Sequence, residues 1–338
     1  MRGGRYLVPF LLLALLAACA PRLQPPGEPA GPAVLDPAAD SWQADDGWVL
    51  PLRRWLPDGP PAVVILALHG FNDYGMAFAE PAAWWADRGI ATYAPDQRGF
   101  GAAPYRGLWA GGTRMIRDAA DLTRLLRQRY PGRPLYWLGE SMGGALALAA
   151  WQQAEDVRPD GMILSAPAVW GRDSMPLLYR LSLWLAAHTI PWKTFTGQGL
   201  NVQASDNIPM LRRLSRDPQV IKATRVDAIH GLVDLMDMAA ASRPAGLPVL
   251  LLYGAKDEII PRQPVARYVD ALRSDAPAGL RIAVYPEGWH MLLRDLQAET
   301  VWRDIAAWIA DPVRAPLPSG AESHVRMLLA PAVSAEGR

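Results

Sequence analysis

From residue 45 onward the chain alternates between short, solid apolar runs and longer amphipathic stretches. Ala62–Leu68, Ile90–Ala94, Leu135–Leu138, Gly161–Ser165, Pro248–Tyr253 and Arg281–Tyr285 have the length of strands, and most lack a polar face, as expected of central strands covered on both sides. The stretches between them read as helices. In the segment from about Thr113 to Tyr130, for example, Met115, Ala119, Leu122 and Leu126 share one face. Strand and helix alternating at these lengths predict right-handed parallel crossovers, hence a doubly wound α/β sheet with its site at the strands' C-terminal ends. Gly47–Trp55 alternates less cleanly and contains Pro51, which predicts an edge strand. Between Ser165 and Pro248 the strand rhythm lapses, and residues 168–245 read as an inserted, mainly helical cap.

Composition changes this picture little in the body and much at the N-terminus. The 338 residues are half apolar, enough for a large core, and carry a formal charge of +1 with basic residues scattered. Nothing in that distribution suggests a nucleic-acid partner, and none is expected. Arg2 and Arg5 precede an apolar run, Tyr6–Leu16, that is short for a membrane span and shaped like the core of a signal peptide. It ends in Leu16-Ala17-Ala18-Cys19, which resembles the bacterial lipobox, and Cys19 is the sole cysteine. An ordinary secretory signal cut after Ala18 or Ala20 would instead leave an unpaired thiol at or near an exported terminus. The lipobox resemblance implies a signal peptide over 1–18, lipidation of Cys19, and anchoring to a bacterial membrane. With Ala20 following the cysteine, it points to the periplasmic face of the outer membrane. Without the leader, 32 basic residues face 33 acidic ones. The proline-rich stretch after Cys19 predicts a flexible tether over 19–44.

Candidate chemistry centres on Gly139-Glu140-Ser141-Met142-Gly143, where an apolar run turns into the small-residue stretch Ala145–Ala150. The pattern places Ser141 on a sharp strand-to-helix turn, its hydroxyl displayed above a helix N-terminus. No histidine and carboxylate cluster has metal-ligand spacing, so neither a metal nor another cofactor is expected.

These features resemble the serine α/β-hydrolases. More narrowly, His69-Gly70, Asp96-x-Arg98-Gly99-x-Gly101 and Gly139-Glu140-Ser141-Met142-Gly143-Gly144 resemble the monoacylglycerol lipase and lysophospholipase branch, over about residues 45–309. The resemblance implies a triad in the order serine, acid, histidine. Asp257 stands in the loop after one later strand and His290 after the last, with Glu258 the alternative acid. It further implies an oxyanion hole from the backbone N–H groups of Phe71 and Met142. His69, Asp96 and Arg98 read as loop-shaping residues, and His188, His230 and His324 as cap, cap and tail residues.

The expected domains are then a body of 45–167 and 246–311, interrupted by the cap and followed by a loosely ordered tail, 312–338. Large apolar residues in the first half of the cap, Leu178, Trp184 and Trp192 among them, predict docking onto the body, with some free to line an acyl channel or touch lipid. The implied activity is hydrolysis of carboxylic esters, monoacylglycerols or lysophospholipids foremost. A short-chain esterase, thioesterase or perhydrolase would use the same triad, and a non-catalytic binding protein of the same fold is the alternative from another class.

Overall fold

The computed structural model describes residues 20–36, 40–154, 156–197, 199, 202–274 and 279–329. Cys19 and the leader lie outside them. The chain forms β1 (Val34–Leu35), β2 (Ser41–Gln43), β3 (Val49–Trp55), β4 (Val63–Leu68), α1 (Ala79–Ala86), β5 (Ile90–Pro95), α2 (Gly112–Arg129), β6 (Leu135–Glu140), α3 (Met142–Gln153) and β7 (Gly161–Ser165). The cap follows, with α4 (Leu177–Thr189), β8 (Thr194–Thr196), α5 (Ile208–Arg216), β9 (Ala223–Arg225) and α6 (Val226–Ala241). The body resumes with β10 (Val249–Gly254), α7 (Arg262–Ser274), β11 (Leu280–Tyr285), α8 (Ala298–Ala310) and, in the tail, α9 (Val325–Leu329).

One sheet in the order β1-β2-β3-β5-β4-β6-β7-β10-β11 organises the body. It is parallel from β5 to β11 and antiparallel from β1 to β5. Because successive strand side chains point to opposite faces, β4 divides between two cores. Val64, Leu66 and Leu68 pack on the α2, α3 and α7 side, while Ile65 and Ala67 face Trp85 of α1 and Trp308 of α8. After β4 the chain moves outward to β5, then returns across β4 to β6. That reversal opens a crevice between the C-terminal ends of β4 and β6, where His69 and Ser141 emerge.

The cap is mainly helical, with β8 and β9 paired as a small antiparallel ribbon. Its last helix, α6, packs on α3 and so ties the cap to the helix that follows Ser141.

Three expectations are corrected. β3 is not an edge strand, since it pairs with β2 on one side and β5 on the other. Pro51 is tolerated because its nitrogen and carbonyl face β5 where that strand is ending at Pro95, and the carbonyl still accepts from Asp96 N–H at 2.9 Å. The stretch over 19–44 is no free tether where it is described. Leu23 bridges to Trp109, Gln24 donates to the Trp109 and Leu108 carbonyls at 2.9 Å each, and β1 and β2 extend the sheet. The tail likewise packs on the body where it is described. Leu317, Ala321 and Leu328 are buried, and Glu322 accepts two hydrogen bonds from Arg281 of β11 at 2.5 and 2.7 Å.

Candidate active site

Ser141 sits between β6 and α3 with φ 52° and ψ −113°, a left-handed backbone that non-glycine residues seldom adopt. Surrounding bonds fix it. Its N–H donates to the Ser165 carbonyl at 2.9 Å, and its carbonyl accepts from Ala145 and Ala168 at 3.1 and 3.0 Å. The flanking glycines are required sterically. A β-carbon on Gly143 would collide with the Leu68 carbonyl, and one on Gly139 with the backbone of Gly143. The turn thus presses the start of α3 against the end of β4.

His290 lies in the loop after β11. Its Nδ1 is 2.9 Å from Asp257 Oδ2, and the Asp257 side chain is wholly buried. The other carboxylate oxygen of Asp257 accepts from the N–H groups of Ile259 and Ile260 at 2.8 and 3.0 Å. Asp257 is therefore held from both sides, as a residue orienting an imidazole must be. Glu258 points elsewhere, accepting from the Gln203 N–H of the cap at 2.7 Å.

Ser141 and His290 border one cavity of about 740 Å³, together with Gly70 and Phe71. Its upper wall is the cap, including Trp170, Leu183, Val233 and Met236, and it is overwhelmingly apolar. Phe71 packs edge-on against Phe100 and Trp109, at 5.5 and 6.4 Å between ring centres. Met142 is the first residue of α3, where backbone N–H groups have no partner within the helix.

His69 shapes the loop that carries Phe71. Its Nε2 accepts from Gln97 N–H at 3.0 Å, so Nδ1 carries the proton and donates to the Gly70 carbonyl at 2.8 Å. Burial keeps this imidazole below its ordinary pKa. Asp96 accepts from Gly75 and Ala102 N–H at 2.9 and 3.0 Å, while Arg98 joins Asp118 and Asp46 at 2.6 Å each. Both hold turns and neither lines the cavity. His188 stacks on Trp184, and His230 lies 3.4 Å from Asp234, both within the cap. Among the described residues no cluster could hold a metal ion.

Sequence reasoning missed a buried ion triad beneath the site. Arg294 Nη1 donates to Asp73 Oδ2 at 2.7 Å and Nη2 to Glu140 Oε1 at 3.0 Å. Burial alone would lower the pKa of this guanidinium, but the two carboxylates outweigh it and raise the value. The triad ties together the Phe71 loop, the residue before Ser141 and the His290 loop. Its one sequence signal is a charged pair, Arg294-Asp295, closing an apolar run. Asp295 accepts from Ser205 Oγ at 2.6 Å and Trp289 N–H at 2.8 Å, and burial pushes its carboxyl up to about 6. Asn72 also went unnoticed. Its Nδ2 reaches Thr224 Oγ1 at 2.7 Å and its carbonyl accepts from Ile221 N–H at 2.9 Å, stitching the Phe71 loop to the cap.

Residues 59–297 match the Hydrolase_4 family, described as serine aminopeptidase, S33. The chain belongs to that family. This Hydrolase_4 member is thus a serine hydrolase. It is similar to the monoacylglycerol lipase of Mycolicibacterium smegmatis, with 27% identity over 278 residues covering 75% of this chain and 90% of the relative. To the mouse monoglyceride lipase it is 25% identical over 280 residues, covering 80% and 89% respectively. Among solved structures, the monoacylglycerol lipase of Paleococcus ferrophilus superposes with a TM-score of 0.66 at 20% identity, covering 78% of this chain and 99% of that one. A soluble variant of the Saccharomyces cerevisiae monoglyceride lipase, in complex with a substrate analogue, gives 0.67 at 19%, covering 80% and 94%. These superpositions establish the α/β-hydrolase fold.

Proposed function

We propose that this protein hydrolyses carboxylic esters through an acyl-enzyme, with monoacylglycerols or lysophospholipids as its substrates. The observation that carries the reading is the pairing of His290 with a buried, doubly held Asp257 beside a strained Ser141, all under one apolar cavity. His290 takes the proton of the Ser141 hydroxyl as its oxygen attacks the ester carbonyl, and Asp257 orients the ring and stabilises its cation. The N–H groups of Phe71 and Met142 receive the developing oxyanion, each such donor contributing about 3 kcal/mol. The alcohol leaves with the proton from His290. Water deprotonated by the same ring then releases the acid.

The apolar lining supports an acyl chain as the bound group, and relatives named as monoacylglycerol lipases support a glycerol ester. A peptide's free amino group would need a carboxylate in the cavity wall. The carboxylates there, Asp73 and Glu140, already share Arg294. We further propose that Cys19 is lipidated and holds the enzyme at the bacterial envelope, the lipobox resemblance being the support.

A fluorophosphonate probe tests the chemistry. Labelling of the wild type, abolished in Ser141→Ala and His290→Ala, is the expected result. A folded wild type that stayed unlabelled would favour a binding role for the cavity. A panel of glycerol and lysophospholipid esters of increasing chain length then decides the substrate.

A further inference from the structure

The Phe71 loop is a tight turn running from Gly70 to Asp73. Asp73 N–H donates to the Gly70 carbonyl at 3.3 Å, and Asn72, the turn's third residue, has φ 67°. Asparagine is among the few residues that take up that left-handed position readily. The Gly70 carbonyl also accepts from His69 Nδ1 at 2.8 Å. Because a peptide unit is planar and trans, fixing this carbonyl turns the Phe71 N–H the opposite way, away from His69. The direction of the oxyanion donor is therefore set by what holds the Gly70 carbonyl.

One of its two bonds leads to the cap. Asp73 N–H shares a peptide plane with the Asn72 carbonyl, and that carbonyl accepts from Ile221 N–H of the cap at 2.9 Å. Planar units in series thus join the cap to the oxyanion donor. Side chains hold the same junction, since Asn72 Nδ2 donates to Thr224 Oγ1 and Tyr74 Oη to Asp217 Oδ2, each at 2.7 Å. The cap side of the junction is itself stiff. Asp217 accepts from Gln219 N–H at 2.8 Å, Lys222 Nζ bridges the Asp217 and Val220 carbonyls, and Thr224 lies in β9. The ring of Phe71, by contrast, rests on Phe100 and Trp109 of the body.

We propose, resting on the acyl-enzyme reading, that residues 217–224 of the cap are a positioning element of the oxyanion hole and act through Asn72. The body places Phe71, and the cap sets the angle of its backbone. The cap then belongs to the catalytic apparatus for every ester, including those too small to touch its apolar wall. Misplacing a group by about 1 Å can cost about a hundredfold in rate. Here the loss falls on the transition state, because only there has the oxyanion formed. A cap that merely bound acyl chains would show itself in KM instead.

The test uses a water-soluble short-chain ester and an alkyl trifluoromethyl ketone. The ketone carbon takes the Ser141 oxygen, whose proton passes to His290, and an oxyanion is left where the ester's would form. Thr224→Val removes the hydroxyl at nearly constant shape. It should lower kcat by roughly tenfold or more with KM within about twofold, and weaken the ketone by the factor that kcat/KM loses. Thr224→Ser keeps the hydroxyl and should restore both. Asn72→Gly keeps the turn's backbone but loses the same bond, so adding it to Thr224→Val should cost little more than either alone. Thermal unfolding reports the fold of each variant separately. Wild-type kcat in Thr224→Val, or a lower kcat with ketone affinity unchanged, would overturn the inference and leave the ester-hydrolase reading standing. A wild type inert toward both ester and ketone would defeat that reading, and this inference with it.

Discussion

At Ser141 the backbone holds a conformation that glycine would adopt more readily, and the strain is tolerated because its neighbours have no room to relax. Gly143→Ala tests that packing. Its methyl group would enter the Leu68 carbonyl, so a loss of about 3 kcal/mol or more in denaturant unfolding is expected, with fluorophosphonate labelling lost in whatever remains folded. Arg294 is expected to act through others, as a positioning residue. Removing one partner of a buried ion pair costs about 3–5 kcal/mol, so Arg294→Gln should be strongly destabilised. Arg294→Lys keeps the charge but not the fork that reaches Asp73 and Glu140 together. It should fold and lose kcat with little change in KM, whereas a purely structural role would leave the kcat of the folded enzyme intact.

Asp295 offers a test by pH. Burial raises its carboxyl to about 6 in the native protein, against about 4 in an unfolded chain. Between those values the native state holds a proton that the unfolded state has released. The stability contributed by this residue is therefore complete below about pH 4 and is lost as pH rises through about 6. Asp295→Asn removes the titration. Unfolding measured in parallel should show the wild type losing about 2 kcal/mol relative to the variant between about pH 4 and pH 7. A difference that stayed flat would mean that the carboxyl titrates normally.

Among the elements, those buried on both faces were the legible ones. β4, β6 and β10 are written as solid apolar runs, and the turn at Ser141 as two glycines around a serine, because local sterics alone require that pattern. Elements whose partners are distant in sequence were not legible. The prolines of the N-terminal strap signal the absence of a helix, but the carbonyls it bonds belong to Leu108 and Trp109, more than eighty residues away. In the same way, nothing local in Arg294 names Asp73, 221 residues earlier, as its partner. Trp109 is the hinge of the strap, since it also packs on Phe71 and faces Gly231 of α6. Trp109→Ala should cost about 3–5 kcal/mol and lower kcat through the Phe71 loop, measured by thermal unfolding and steady-state kinetics on one preparation.

For the molecule as a whole, function arises from a division of labour between a rigid sheet and an inserted cap. The sheet brings Ser141, Asp257 and His290 to one edge, and the cap roofs them with apolar side chains. The body and the existence of the cap could be read from rhythm; the cavity could not, because its walls come from α4, α6 and several loops far apart in sequence. Both margins of the sheet are also blunted. On one side it ends in the two-residue β1, and on the other the segment over Ala321–Leu329 runs against β11. An open strand margin recruits strands from other molecules. A chain ending after residue 311 should therefore do more than melt early: as protein concentration rises, light scattering should show it assembling into particles while the intact enzyme stays dispersed. The segment over Ala321–Leu329, remote from any chemistry, would then set the colloidal behaviour of the protein.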